Sequence, residues 1–497
     1  MMPTMLQRCL AAFGLLAASL GANAQAPAFD TPPKPGAPRP LVIAAPIEQR
    51  LPNGLRVVLA ERRGVQLVTA QLVVLSGSEV DPAGRAGLAS MTAGLLTKGT
   101  RKRSATQLAQ TAESLGGALE SGAGWHHTEV AITVTVPQLD AALALVGEVV
   151  REPAFAQREL DRLRTQSLDE LKVAYTQPGR LAALASQRLL YGAGAYGHPA
   201  SGTPASLAKI ARADLVALHT ARFRPDNAVL VLAGDLDAAT ALQLARRHFG
   251  AWRAAGTAPS PVAVAVAVAV AVAAAATAGP AQIAALIDMP QAGQAAVIVA
   301  ARLPPLGTDR ATAAVMNSVL GGGFSSRLNQ EIRIRRGLSY SAGSGLDSRL
   351  GGASLRAVVQ TKNESAAEVV TLVQAEFDRM AATPVGQDEL AARKATLIGD
   401  FSRSVETTAG LGAALQSLIV AGLPPDELGT RIQKLAAVSA ADVQRYAASN
   451  LGAAGRRVVV AGEAAKFGEA LQAASPGLVI VPSAKLDLDI GTGLSAP

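Results

Sequence analysis

Ser90, Ala93 and Gly94 stand at i, i+3 and i+4 in the segment GLASMTAGLLTKGT, residues 87–100. Residues so spaced share one face of a helix, and Leu88, Met91, Leu95 and Leu96 supply the apolar periodicity of one. Zinc peptidases of the His-x-x-Glu-His type use this spacing. Two imidazoles hold the metal, and the glutamate between them handles the proton of the attacking water. Serine, alanine and glycine offer neither a metal ligand of that kind nor a carboxylate. The segment has the spacing of a catalytic metal helix without its donors.

No other constellation replaces it. His126 and His127 are adjacent and are expected on opposite faces of a strand. His198, His219 and His248 show no ligand spacing. Cys9 is the only cysteine, so thiolate sites and disulfides are excluded beyond the first residues. The sequence has no Gly-x-Ser-x-Gly elbow and no phosphate loop. The chain is expected to bind no metal and no cofactor of its own. Its net charge of +8 over 497 residues is scattered, without a basic stripe interleaved with aromatics, which argues against nucleic-acid binding.

The elements that position these residues follow from patterning. Residues 1–24 read as a secretory signal: Arg8, an apolar run over 10–20, and the small-residue site Ala22-Asn23-Ala24. Export to a Gram-negative periplasm is the expectation. Residues 25–45 form a Pro/Ala-rich lead-in. Asn53-Gly54 beside RVVLAE signals a hairpin, and 66–76 reads as a strand. Helices are expected over 136–151 and 158–172, the second with a stripe of Leu160, Leu163, Leu168 and Leu171.

The chain then repeats itself. Asp214 opens a helix that leads to a strand ending at Gly234, and Asp442 opens one that leads to a strand ending at Gly462. The strand at 71–75 has a counterpart at 294–301, and the helix near Arg158 has one near Gln387. The expected fold is α+β: two homologous halves, each a mixed or antiparallel sheet packed against helices. They span 46–256 and 281–465, with a C-terminal tail over 466–497. Between them, 257–280 is an Ala/Val low-complexity linker. No charge occurs from Ala254 to Ile287, a length near that of a membrane span. Alanine is only weakly apolar, however, and a span would put the related halves on opposite sides of a membrane.

The second half carries Gly321, Gly322 and Gly323 within GGGFSSRLNQEIR, followed by RGLSYS. Glycines allow φ > 0 and close backbone approach. These two stretches, with Gly-Leu-Ala and Leu-Leu-Thr-Lys-Gly-Thr flanking the helix positions, resemble the pitrilysin/insulinase family of zinc metallopeptidases. The resemblance runs over residues 46–465. It makes Ser90, Ala93 and Gly94 the degenerate zinc-site positions. It puts the family's third zinc ligand at Glu170, which alone makes no site and reads as a solvated helix residue.

The resemblance also implies that Arg333 and Tyr340 bind the carbonyl and backbone of a scissile peptide at a zinc site. The chemistry fits the types: a guanidinium gives charge-assisted donors, and a phenol can donate to a developing oxyanion. Some bacterial members of the family are two-chain enzymes. This chain matches their non-catalytic subunit, inactive alone and working with a homologous partner that holds the zinc. The alternative is a peptide-binding or assembly protein with a peptidase-like fold and no proteolytic role. A self-sufficient enzyme would have to turn over peptide without a partner.

Overall fold

The computed structural model describes residues 43–254, 284–489 and 494. The segment read as a secretory signal, nearly all of the lead-in and the Ala/Val stretch lie outside the described residues. The first half builds a six-stranded sheet from β1 (Ile47–Arg50), β2 (Arg56–Glu61), β3 (Leu67–Val74), β4 (Glu120–Ala123), β5 (Thr128–Thr135) and β6 (Ala228–Gly234). The spatial order is β1-β2-β6-β3-β5-β4. The second half repeats it with β7 (Ala284–Asp288), β8 (Ala295–Leu303), β9 (Ala342–Arg349), β10 (Gly352–Thr361), β11 (Arg456–Gly462) and β12 (Val479–Pro482). Their order is β12-β7-β11-β8-β10-β9.

Each sheet has a parallel pair, β2 with β6 and β7 with β11, followed by an antiparallel neighbour, β3 and β8 respectively. The outer strand differs. β1 precedes β2 and runs antiparallel to it, whereas β12 arrives from the C-terminal side and runs parallel to β7. The second half therefore continues past residue 465, into the segment read from sequence as a tail.

Eight helices belong to the first half: α1 (Leu88–Leu96), α2 (Ala105–Ser114), α3 (Leu139–Arg151), α4 (Gln157–Thr176), α5 (Pro178–Tyr191), α6 (Pro204–Lys209), α7 (Arg212–Arg222) and α8 (Ala238–Phe249). The second half contributes α9 (Arg310–Leu320), a π-helix over Asn329–Arg335, α10 (Ala366–Ala382), α11 (Gln387–Ser404), α12 (Thr408–Val420), α13 (Glu427–Ala437), α14 (Ala440–Asn450) and α15 (Ala464–Ala474). The aspartates that mark the repeat have a local job. Asp214 accepts the Ala211 N–H at 2.8 Å, and Asp442 accepts the Ser439 N–H at 2.9 Å. Each satisfies a donor at a helix start.

The inner strands β2, β6, β7, β8 and β11 read as near-continuous apolar runs because both faces are covered. On the inner face of the first sheet, Val68, Ala70 and Leu72 join Leu230 and Leu232 and pack under α1 and α3. On its outer face, Val58, Val73, Val229 and Val231 pack against Leu411, Leu415, Leu418 and Ile419 of α12, a helix of the second half. The exchange is reciprocal. Leu181, Ala182, Ala185 and Leu189 of α5 cover Ile287, Ile298, Ala300 and Val459 on the second sheet. Each half thus lends the other the helix that closes its sheet.

Candidate functional site

α1 forms where the sequence places it, and a buried carboxylate fixes its start. Asp81 accepts the N–H groups of Gly87 and Ala89, both at 2.9 Å. Gly87 holds φ 90°, and a Cβ there would lie 3.0 Å from the backbone of Gly202. Only glycine suits that entry. On the face that a metal would require, the Ser90 hydroxyl donates to the Ala200 carbonyl at 2.8 Å. Ala93 is fully buried. Beside Gly94, Leu163 of α4 would stand 3.1 Å from an added Cβ.

A cavity of about 400 Å³ opens next to Ser90. Ser167, Glu170, Arg180 and Ser201 supply its polar wall, and Leu163, Leu171 and Leu184 its apolar one. Glu170 is exposed and takes a hydrogen bond from Gln166 at 3.0 Å. A zinc ion does not fit this donor set: one exposed carboxylate, hydroxyls and a leucine replace the ligands. Among the described residues no three His, Cys, Asp or Glu side chains cluster to hold a metal. The cavity is lined by first-half residues alone, so neither Arg333 nor Tyr340 reaches it.

The second motif sits at the end of α9. None of Gly321, Gly322 and Gly323 has a positive φ. Two of them are glycine because the chain packs on itself. A Cβ on Gly321 would fall 2.2 Å from the Ser344 nitrogen, and one on Gly322 would fall 2.7 Å from the Ser318 Cα. At Gly323 an added Cβ would meet only the Arg393 guanidinium, 3.8 Å away. The π-helix that follows carries Arg333, whose guanidinium lies 4.9 Å from the ring centre of Phe324. Phe324 is 63 % exposed and Tyr340 is 88 % exposed. Tyr340 makes no side-chain hydrogen bond among the described residues. An exposed aromatic that orients an arginine, and a π-helix beneath it, are features that sequence reasoning missed. The only local mark of them in the sequence is a phenylalanine directly after three glycines.

A further cluster joins the halves where β9 turns into β10. The Arg349 guanidinium is enclosed by Trp125, Tyr191 and Tyr196, with ring centres 4.1, 4.8 and 4.9 Å away. It donates to Asp347 at 2.6 Å and to the Tyr196 carbonyl at 3.3 Å. The Tyr196 hydroxyl accepts the Gly351 N–H at 3.1 Å and lies 3.0 Å from His126 Nε2. The same nitrogen accepts the Leu350 N–H at 3.2 Å. His126 and His127 lie in the turn between β4 and β5 rather than in a strand, which lets His126 face inward.

Burial depresses the His126 pKa to about 4 and raises that of Glu79 to about 7. Glu79 Oε2 lies 3.9 Å from His126 Nδ1 and accepts the Gly77 N–H at 2.9 Å. At neutral pH the imidazole is uncharged, with its proton on Nδ1, since Nε2 accepts.

These displacements set a pH dependence. Glu79 keeps its proton in the folded chain between its ordinary value of 4.5 and about 7, so its stability contribution is full below 4.5 and is lost as pH rises through 7. His126 acts oppositely: its contribution is full above 6.5 and is lost as pH falls through about 4. The two slopes oppose each other between 4.5 and 6.5. Glu79→Gln is expected to add up to about 3 kcal/mol of stability at pH 8 and nothing near pH 4. Chemical denaturation at a series of pH values measures this. Parallel curves for variant and parent would show that Glu79 titrates as an ordinary carboxylate.

Fold and helix together define a peptidase-type α+β body whose metal helix lacks metal ligands. Residues 56–198 match the family profile of insulinase (peptidase family M16), and residues 209–397 match that of the peptidase M16 inactive domain. The two stretches cover more than half of the chain, and the chain belongs to this family. Over 369 residues it is 29% identical to an uncharacterized zinc protease of Mycobacterium tuberculosis, covering 74% of this chain and 82% of the other. The crystal structure of a peptidase M16 inactive domain from Pseudomonas fluorescens superposes with a TM-score of 0.75 at 25% identity. That match covers 84% of this chain and 98% of the other. The periplasmic protease PqqL of Escherichia coli shares the fold at 15% identity and a TM-score of 0.67. There the match covers 88% of this chain and 51% of PqqL. No helix among the described residues is long and apolar enough to cross a membrane.

Proposed function

We propose that this chain is the non-catalytic subunit of a two-chain zinc peptidase in the periplasm, supplying Arg333 and Tyr340 to a homologous partner that holds the metal. The observation that carries the reading is the placement of this pair. Tyr340 is almost wholly exposed and Arg333 rests on an exposed Phe324, while this chain's own helix has no ligands. Such donors have no reacting centre within their own chain to serve. The PqqL comparison supports pairing, since this chain spans about half of that protein.

Zinc in the partner would supply the activated water. Arg333 would hold the peptide carbonyl through its planar fork of N–H donors, and the Tyr340 hydroxyl would donate to the oxygen as negative charge grows on it. The substrate backbone would bind as an added strand along a sheet edge.

Native mass spectrometry of the tagged, exported chain tests the reading. The expected result is a stoichiometric complex with one homologous chain carrying an intact His-x-x-Glu-His helix, active on peptides only as the pair. A chain recovered alone or as a homodimer would overturn it and leave peptide binding or assembly as the function.

A further inference from the structure

Behind the glycine-rich loop lies a cavity of about 360 Å³, walled by Ser325 and Arg327 of the loop, Arg335 of the π-helix, Glu376 and Arg379 of α10, and Glu389 of α11. Three guanidinium groups face two carboxylates there. Their pairings leave donors unspent. Arg327 binds Glu389 through Nε and Nη2, at 3.1 and 2.8 Å, and its Nη1 meets only the Met380 sulfur at 3.5 Å. Arg379 reaches Glu376 Oε1 at 3.0 Å through one nitrogen. Arg335 reaches Glu331 at 2.8 Å through one nitrogen. A guanidinium carries five N–H donors, so Arg335 and Arg379, with side chains 66% and 50% exposed, each keep donors that the ion pair does not use.

Two further groups line the same space. Glu376 is 1 % exposed, yet its Oε2 has no hydrogen-bond partner. A buried carboxylate oxygen left without a donor is costly. Burial raises the Glu376 pKa, against the pull of the neighbouring Arg379 and Arg327 guanidiniums. The Ser325 oxygen accepts from Arg393 at 2.9 Å, which frees its own hydrogen to donate elsewhere. The wall is thus rich in donors, and Arg393 behind Ser325 adds a fourth guanidinium to the three that are paired with carboxylates. A metal cation is disfavoured among three guanidiniums.

We propose that this cavity is an oxyanion-binding site, taking a phosphate group or the terminal carboxylate of a peptide between Arg335, Arg379 and Ser325. Ser325, Arg327 and Arg335 belong to the same segment as Phe324 and Arg333. An anion bound behind this segment would brace the platform that presents Arg333. The inference stands apart from the two-chain reading, because it needs only this chain.

Isothermal titration calorimetry on the full chain, at constant ionic strength, tests it in two arms. One arm uses inorganic phosphate. The other compares an acetylated tripeptide with its C-terminal amide. Saturable binding of phosphate, or of the free-acid peptide and not the amide, is expected, and the responding arm identifies the source. Arg379→Gln should weaken binding by about tenfold or more. Arg335→Gln should do the same, and its side chain is 66% exposed, so the substitution leaves folding intact. Arg445→Gln, on the exposed face of α14, should change nothing. No saturable binding in either arm, or binding indifferent to both cavity substitutions, would overturn the proposal.

Discussion

A reconstituted pair in which this chain carries Arg333→Ala and Tyr340→Phe is expected to cleave peptide roughly 10²- to 10³-fold more slowly than the parent pair, the loss typical of a missing oxyanion donor. The argument rests on where the two groups sit. Tyr340 is 88 % exposed, so removing its hydroxyl breaks no internal bond and should leave stability unchanged. The guanidinium of half-buried Arg333 lies over the exposed Phe324 ring, and a cation–π contact at an exposed ring is worth about 0.5–1 kcal/mol. The loss should therefore be kinetic. Losing donors that strengthen as the oxyanion forms lowers kcat, whereas losing donors that merely hold substrate raises KM. Arg333→Lys should not restore the rate, because an ammonium lacks the planar fork. Native mass of the variant pair separates lost chemistry from lost assembly. Unchanged kcat in an intact complex would remove Arg333 and Tyr340 from the reaction.

Arg349→Met is expected to destabilise the chain by about 3–5 kcal/mol, the usual cost of breaking a buried charge pair from one side. The Arg349 side chain is 1% exposed, and methionine fills similar space with no donors. Asp347 keeps Arg356 at 3.6 Å, but the Tyr196 carbonyl loses a donor and the three aromatic rings lose their cation. Denaturant unfolding gives the magnitude. Hydrogen exchange gives the location: the amides of Leu350 and Gly351 donate across the seam to His126 and Tyr196, and their protection should fall first. A change under about 1 kcal/mol with unchanged protection would mean that apolar packing alone holds the halves together.

Much of this architecture is legible from local chemistry. The repeat is visible because each copy needs an aspartate at the third position of a helix and a strand buried on both faces. Those requirements leave the same marks at Asp214 and Gly234 as at Asp442 and Gly462. α1 is legible for the same reason, since Leu88, Met91, Leu95 and Leu96 must share a buried face. Partnerships over long distances are not legible. The stripe on α12 says that it must cover something, and nothing in residues 408–420 says that the sheet it covers belongs to the other half. The aromatic enclosure of Arg349 joins residues more than 150 positions apart. Leu163, which fills the space beside Gly94, is one more leucine in its stripe until α4 is laid against α1. At the glycine triplet, residue type was legible but its cause was not. Two of the three glycines answer to Ser344 and Ser318 rather than to a ligand.

The exchanged helices also set a timetable for biosynthesis. As the chain is made, the first sheet can be complete once Gly234 has emerged, but its outer valines stay bare until α12 follows. That gap of about 170 residues takes roughly 10 to 40 s at about 5–20 residues per second. Throughout it the nascent half presents a two-sided apolar sheet with one side open, the kind of surface on which newborn chains stick to each other. A fragment ending at residue 254 would stay in that state permanently. The chain therefore matures as a single unit, best served by a chaperone that keeps it unfolded until its last third is available.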